Sequence, residues 1–82
     1  MISRTKWTVV GKATKIRQRK RGLWITVKGK LNNECSSFQT TVDCWLPFSL
    51  DDQRKNFYKK FAATGVLVFE GKDTYFLTEA LA

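Results

Sequence analysis

Leu23-Trp24-Ile25-Thr26-Val27-Lys28-Gly29-Lys30-Leu31 alternates without a break. Leu23, Ile25, Val27, Gly29 and Leu31 fall on one side, and Trp24, Thr26, Lys28 and Lys30 on the other. Period two is the mark of a strand with one face in a core and one in water. The stretch 38–46 repeats it, with Phe38, Thr40, Val42, Cys44 and Leu46 set against Gln39, Thr41, Asp43 and Trp45. The polar run 32–37 between them reads as a turn, and Pro47 ends the second strand because it has no N–H to give to a ladder. In both strands a tryptophan lies on the polar side, where an apolar residue is unexpected.

Upstream, residues 6–16 are rich in Thr and Val and read as a strand. Gly11 inside it predicts a bulge or a sharp bend. Lys15 to Arg21 is a basic block closed by Gly22, read as a strand end entering a hairpin loop. Downstream, Ser49 and Asp52 have the spacing of a helix cap, and Asp51 and Asp52 suit the positive end of the helix dipole. Phe57, Tyr58 and Phe61 recur at helical spacing, and Gly65 suits a helix stop. These features predict a helix over residues 50–63. A short strand over 66–70, a Gly71-Lys72-Asp73 turn and a last strand over 74–78, extendable to Leu81, complete the chain. The 82 residues allow one domain, with 43% hydrophobic residues to fill one core.

Charge is segregated. Residues 1–33 hold ten Lys or Arg and no acid, while the remainder holds five bases and all seven acids. The net +8 is therefore +10 in the first segment and −2 in the rest. Solubility does not require one sign in one segment, and the pattern favours a polyanionic partner. No apolar run reaches the roughly 18–20 residues that cross a bilayer, and the basic block lacks the amphipathic helix of a membrane-surface anchor. Cys35 and Cys44, with no histidine, do not make a zinc site and read as free thiols of a reducing compartment. No cofactor or metal is expected. The absence of His, of a phosphate-cradling loop and of clustered acids argues against an enzyme.

Three strands, a helix and two strands is the element order of the OB-fold, a five-stranded barrel. The fold class expected is therefore mainly β, an OB-fold barrel over residues 1–82 with one helix between strands 3 and 4. From Phe57 to Leu77 the chain also resembles bacterial-type single-stranded-DNA-binding proteins. The resemblance rests on Lys60-Phe61-Ala62-Ala63-Thr64-Gly65-Val66-Leu67-Val68-Phe69-Glu70-Gly71 and on Tyr75-Phe76-Leu77. It covers most of the chain as a pattern and lacks the family's long acidic tail. With the short length, it implies a compact phage- or plasmid-like member in the cytoplasm of a bacterial or phage-infected cell. It implies a non-catalytic binder of single-stranded DNA in replication, recombination or repair. Exposed sheet edges and a small core are compatible with a homodimer or homotetramer.

Binding of this kind needs a basic groove for phosphates and exposed rings for bases. The OB-fold uses the face of strands 2 and 3 and the loops beside it. The expected nucleic-acid-binding residues are Lys15, Arg17, Arg19, Lys20 and Arg21 at the first hairpin, Trp24, Lys28 and Lys30 on strand 2, Trp45 on strand 3, and Lys72 in the last turn. Each tryptophan has a competing role in covering core. Trp7 reads as packing, and Phe57, Phe61, Phe69 and Phe76 as core. Tyr58 and Tyr75 are assigned neither way. Lys55, Lys59 and Lys60 read as a solvated helix face. An RNA-binding barrel of cold-shock or initiation-factor type and a protein–protein adaptor remain as alternatives.

Overall fold

A computed structural model describes residues 5–47 and 54–82. Five strands dominate: β1 (Trp7–Arg19), β2 (Gly22–Asn32), β3 (Ser37–Leu46), β4 (Phe61–Glu70) and β5 (Asp73–Leu81), with a short helix α1 (Arg54–Phe57) between β3 and β4. They close into a barrel in the order β1-β2-β3-β5-β4, with β4 returning to β1. β3 and β5 run parallel and every other pair antiparallel. The protein is thus mainly β, a five-stranded OB-fold barrel, as the element order implied.

The alternation in β2 and β3 decides which side faces in. Leu23, Ile25, Val27 and Leu31 are buried, as are Cys44 and Leu46 opposite them. Val9 and Ala13 of β1, Phe61, Ala63 and Leu67 of β4, Phe76 of β5 and Phe57 of α1 complete the core cluster. Phe57 and Phe61 meet edge to face at 5.1 Å, which seats α1 on the barrel end. Trp7 packs against this core from its margin, as expected.

β1 must pair with β2 along nearly its whole length and with β4 only over Trp7 to Gly11. Gly11 is the last residue bonded on both sides. The strands approach so closely there that a Cβ on Gly11 would lie 2.4 Å from the Lys28 carbonyl oxygen. The bulge expected near Gly11 comes just after it, between Ala13 and Lys15.

Two expectations are corrected. The helix over 50–63 is not formed as read. Residues 50–53, with the Ser49–Asp52 cap, lie outside the described residues, and α1 ends at Phe57. Asn56 accepts the N–H groups of Lys59 and Lys60 in the turn that follows. Phe61 and Ala63 then point inward at period two and pair with Gly11 and Val9. The barrel closes only if β4 reaches β1, and that pairing outweighs a helical spacing of three aromatic residues. Gly65, expected as a helix stop, sits instead at a bulge in β4, where a Cβ would lie 2.0 Å from the Leu77 carbonyl oxygen. The second correction concerns the first loop. β1 runs to Arg19, so Lys15, Arg17 and Arg19 are strand residues and only Lys20 and Arg21 form the turn.

Candidate nucleic-acid interface

Register places the polar side of the barrel wall in rows, because directly opposed residues share a face. Arg17 opposes Trp24, and Trp24 opposes Trp45, giving one row across three strands. The next row is Lys15, Thr26 and Asp43, then Lys12, Lys28 and Thr41, then Val10, Lys30 and Gln39. Lys12, Lys15, Lys28 and Lys30 are all exposed. Arg19 continues the Arg17 side toward the exposed Lys20-Arg21 turn, and its Nη1 donates to the Gln18 carbonyl at 2.9 Å.

The two tryptophans neither fill the core nor stand alone. Both are half-buried on the outer wall, with ring centroids 5.1 Å apart and planes tilted by 51°. Tyr75 of β5 leans across β3 to meet Trp24 edge-on at 5.3 Å. Pairs in this range are attractive beyond the area they bury, so the three rings brace one another as a platform. The Tyr75 hydroxyl donates to Glu70 Oε1 at 3.4 Å. Desolvation raises its pKa above the usual phenol value, with further upward pushes from the Glu70 charge and that hydrogen bond. The phenol therefore stays neutral at physiological pH.

A depression of about 370 Å³ lies beside this platform, between Arg17, Trp24, Asp43, Glu70, Asp73 and Tyr75. Asp43 Oδ1 accepts the Thr26 hydroxyl at 2.6 Å and lies 3.8 Å from Arg17 Nη2. Arg17 Nε is buried there with no hydrogen-bond partner. The site is thus not uniformly positive. Lys72 lies in the β4–β5 turn, two residues beyond Glu70 and directly before Asp73, so that turn brings more negative than positive charge. Gly71 makes the turn possible with φ +58°, in the left-handed region.

The structure therefore brings Lys15, Arg17, Trp24, Lys28, Lys30 and Trp45 onto one wall. Arg19, Lys20 and Arg21 extend from its end. Lys72 is set apart with acidic neighbours. Sequence reasoning missed Lys12, which opposes Lys28, and left Tyr75 open. The period-two pattern of Tyr75, Phe76 and Leu77 held the information that Tyr75 faces outward. It also gave Asp43 no role.

A second depression, of about 560 Å³, is more apolar and runs between Leu31, Phe38, Val42, Leu67 and Phe69. It exists because β5 covers β3 only at Cys44 and Trp45, leaving the first half of β3 unpaired on that side. Phe38 is consequently 47% exposed, although it shares the inward side of its strand. Phe69, expected in the core, is 43% exposed at the far end of β4 for the same reason. Phe57, Phe61 and Phe76 are buried as expected, and Tyr58, Lys55, Lys59 and Lys60 are exposed.

Cys44 is buried and Cys35 exposed, and both are free thiols. Burial pushes the Cys44 thiol far up, with the Asp43 charge adding to it. A buried neutral thiol of this kind is inert. Among the described residues no group of three His, Cys, Asp or Glu side chains could hold a metal ion, and no helix is long and apolar enough to cross a membrane. No protein-family model, curated protein or solved structure matches the chain.

Proposed function

We propose that this protein is a non-catalytic single-stranded-DNA-binding protein serving replication, recombination or repair. The observation that carries the reading is the shared wall of the barrel. A platform of Trp24, Trp45 and Tyr75 sits in register with Arg17 and beside Lys12, Lys15, Lys28 and Lys30. Cations spaced along strands suit a phosphate backbone, and ring faces suit unstacked bases. Basicity alone fits any polyanion. Rings beside the cations favour an unpaired strand, since a closed duplex offers no free base faces. The resemblance of residues 57–77 to bacterial single-stranded-DNA-binding proteins supports the same reading, as does the OB-fold barrel, a scaffold widely used for oligonucleotides.

The test is a titration of oligo-dT, oligo-U and duplex DNA at several salt concentrations, followed by tryptophan fluorescence. Oligo-dT is expected to quench the fluorescence and to outcompete the other two. Its affinity should fall with salt at a log–log slope between about −2 and −4, since each neutralised phosphate on a single strand contributes about −0.7. Preference for oligo-U would transfer the reading to an RNA-binding barrel. Absence of binding to every polyanion at low salt would overturn it in favour of a protein–protein adaptor.

A further inference from the structure

A surface built only to hold phosphates has no use for carboxylates, yet Asp43 ends the second row of the wall on β3, opposite Thr26, which in turn opposes Lys15. Glu70 and Asp73 border the same depression. Carboxylates repel phosphates but accept hydrogen bonds from base N–H groups. Asp43 is also held in place. Its contacts to Thr26 and Arg17 both use Oδ1, while Oδ2 has no hydrogen-bond partner among the described residues. Beside it, Arg17 keeps a buried Nε without an acceptor. Arg17 Nη2 lies 3.8 Å from Asp43 Oδ1, so a guanidinium and a carboxylate stand side by side in the depression that Trp24 and Tyr75 also line.

We infer that the depression between Arg17, Asp43, Trp24 and Tyr75 is a base-reading pocket that takes one unstacked guanine. The inference rests on the reading of this wall as a single-strand binding face and adds sequence preference to it. The Watson–Crick edge of guanine presents, in order, the O6 acceptor, the N1–H donor and the N2–H donor. Arg17 donates to O6, and the Asp43 carboxylate accepts from N1–H and N2–H. Adenine and cytosine reverse this order, placing an amino group against the guanidinium and a ring lone pair against the carboxylate. Thymine matches at O4 and N3–H but turns its O2 toward the carboxylate. The ring platform supplies stacking that every base shares, so discrimination comes from the paired edge alone.

The experiment compares oligo-dT with the same oligomer carrying one central dG, dA, dC or deoxyinosine, at one salt concentration. The dG oligomer is expected to bind at least about fivefold more tightly than oligo-dT, the lower end for a bidentate base contact. Deoxyinosine, which lacks only the N2 amino group, should lose most of that gain. Asp43→Asn should abolish the guanine preference while tightening the binding of plain oligo-dT, because it removes a negative charge from a basic face. A thermal melt of the variant checks that it is folded. Equal binding of all five oligomers, a preference for dA or dC, or a guanine preference retained in Asp43→Asn would overturn the pocket. If oligo-dT binds with the expected salt slope and guanine adds nothing, only the pocket fails. If no oligomer binds, the single-strand reading fails and the pocket with it.

Discussion

Replacing Trp24 by alanine removes the ring that touches both other members of the platform, Trp45 at 5.1 Å and Tyr75 at 5.3 Å. Two losses follow, and they are separable. Trp24 is half-buried, so it offers a base only part of its surface. One stacked base is worth about 1–3 kcal/mol by alanine substitution, and the middle of that range is a roughly 30-fold weaker Kd. The fold loses two aromatic pairs at about 0.5–1.5 kcal/mol each, which for a domain of this size lowers Tm by roughly 5–20 °C. Binding is therefore measured by competition against a labelled oligo-dT well below both melting temperatures, with circular dichroism confirming the barrel. Trp24→Phe keeps a ring and should recover most of the affinity. Trp45→Ala alone should cost a similar amount. The double variant should cost less than the sum of the two, since each ring positions the other and neighbours in contact do not add. A folded Trp24→Ala protein that binds oligo-dT within twofold of the parent would refute the stacking argument. Strictly additive losses would refute the idea of one shared platform.

Lys28→Gln and Lys30→Gln remove exposed cations of the wall and should weaken oligo-dT binding at low salt. Each should make the salt slope shallower by about 0.7, whereas Lys59→Gln, beyond α1, should leave the slope unchanged. Thr78→Val replaces a hydroxyl that is buried at 1% exposure and has no hydrogen-bond partner. Removing an unsatisfied buried group should stabilise the barrel by about 1 kcal/mol, read as a Tm rise of roughly 4–8 °C. In the native protein one thiol, Cys35, should react rapidly with an aromatic disulfide reagent and Cys44 only on unfolding. Cys44 has its pKa raised above the ordinary 9.0, so the folded state holds this proton more tightly than the unfolded chain. Its contribution to stability is complete below about pH 9 and is lost as pH rises beyond that. Cys44→Ala should flatten the alkaline fall in a pH series of urea melts, whatever it does to stability at neutral pH.

The β2–β3 pair was legible because two independent patterns agreed on it. Both strands alternate, and the turn residues between them fix the register, which sets Trp24 against Trp45 and Ile25 against Cys44. Short strands with one wet face are the case in which period two is unambiguous. β4 was not legible at its start because Phe57 and Phe61 are four apart and satisfy a helix as well as an α1-to-β4 junction. What decides between them is the need of Val9 and Gly11 for a partner strand, and that need is non-local. Phe69 was misjudged for a related reason. Its apolar neighbours mark a strand, but only the length over which β5 covers β3 determines whether a ring at the end of β4 is enclosed. At the site, residue type identified the cations and the two tryptophans. Tyr75 enters the platform by reaching across β3, a contact that depends on barrel closure.

Segregation of charge along the chain does not carry over unchanged into space. Eight of the ten cations of the first 33 residues lie in β1, β2 and their turn, and they share a wall because those two strands are each other's neighbours. Among the described residues, three of the acids are not placed on the opposite side. Asp43 comes back into the wall as the β3 partner of Thr26, and the β4–β5 turn brings Glu70 and Asp73 to its border. Mutual repulsion among cations of the wall, Lys12 opposite Lys28 above all, costs stability in the free protein. Asp43 stands one row from Lys12 and Lys28, and its contacts go to Thr26 and Arg17 instead. A carboxylate serving general neutralisation would be more effective within the lysine rows, opposite Lys28 at position 41 or opposite Lys30 at position 39, where Thr41 and Gln39 stand instead. Its position next to the rings is better suited to a base than to a backbone. On the proposed reading the wall then has two parts, a lysine track toward the β2–β3 turn suited to phosphates and a mixed-charge end beside the rings suited to bases.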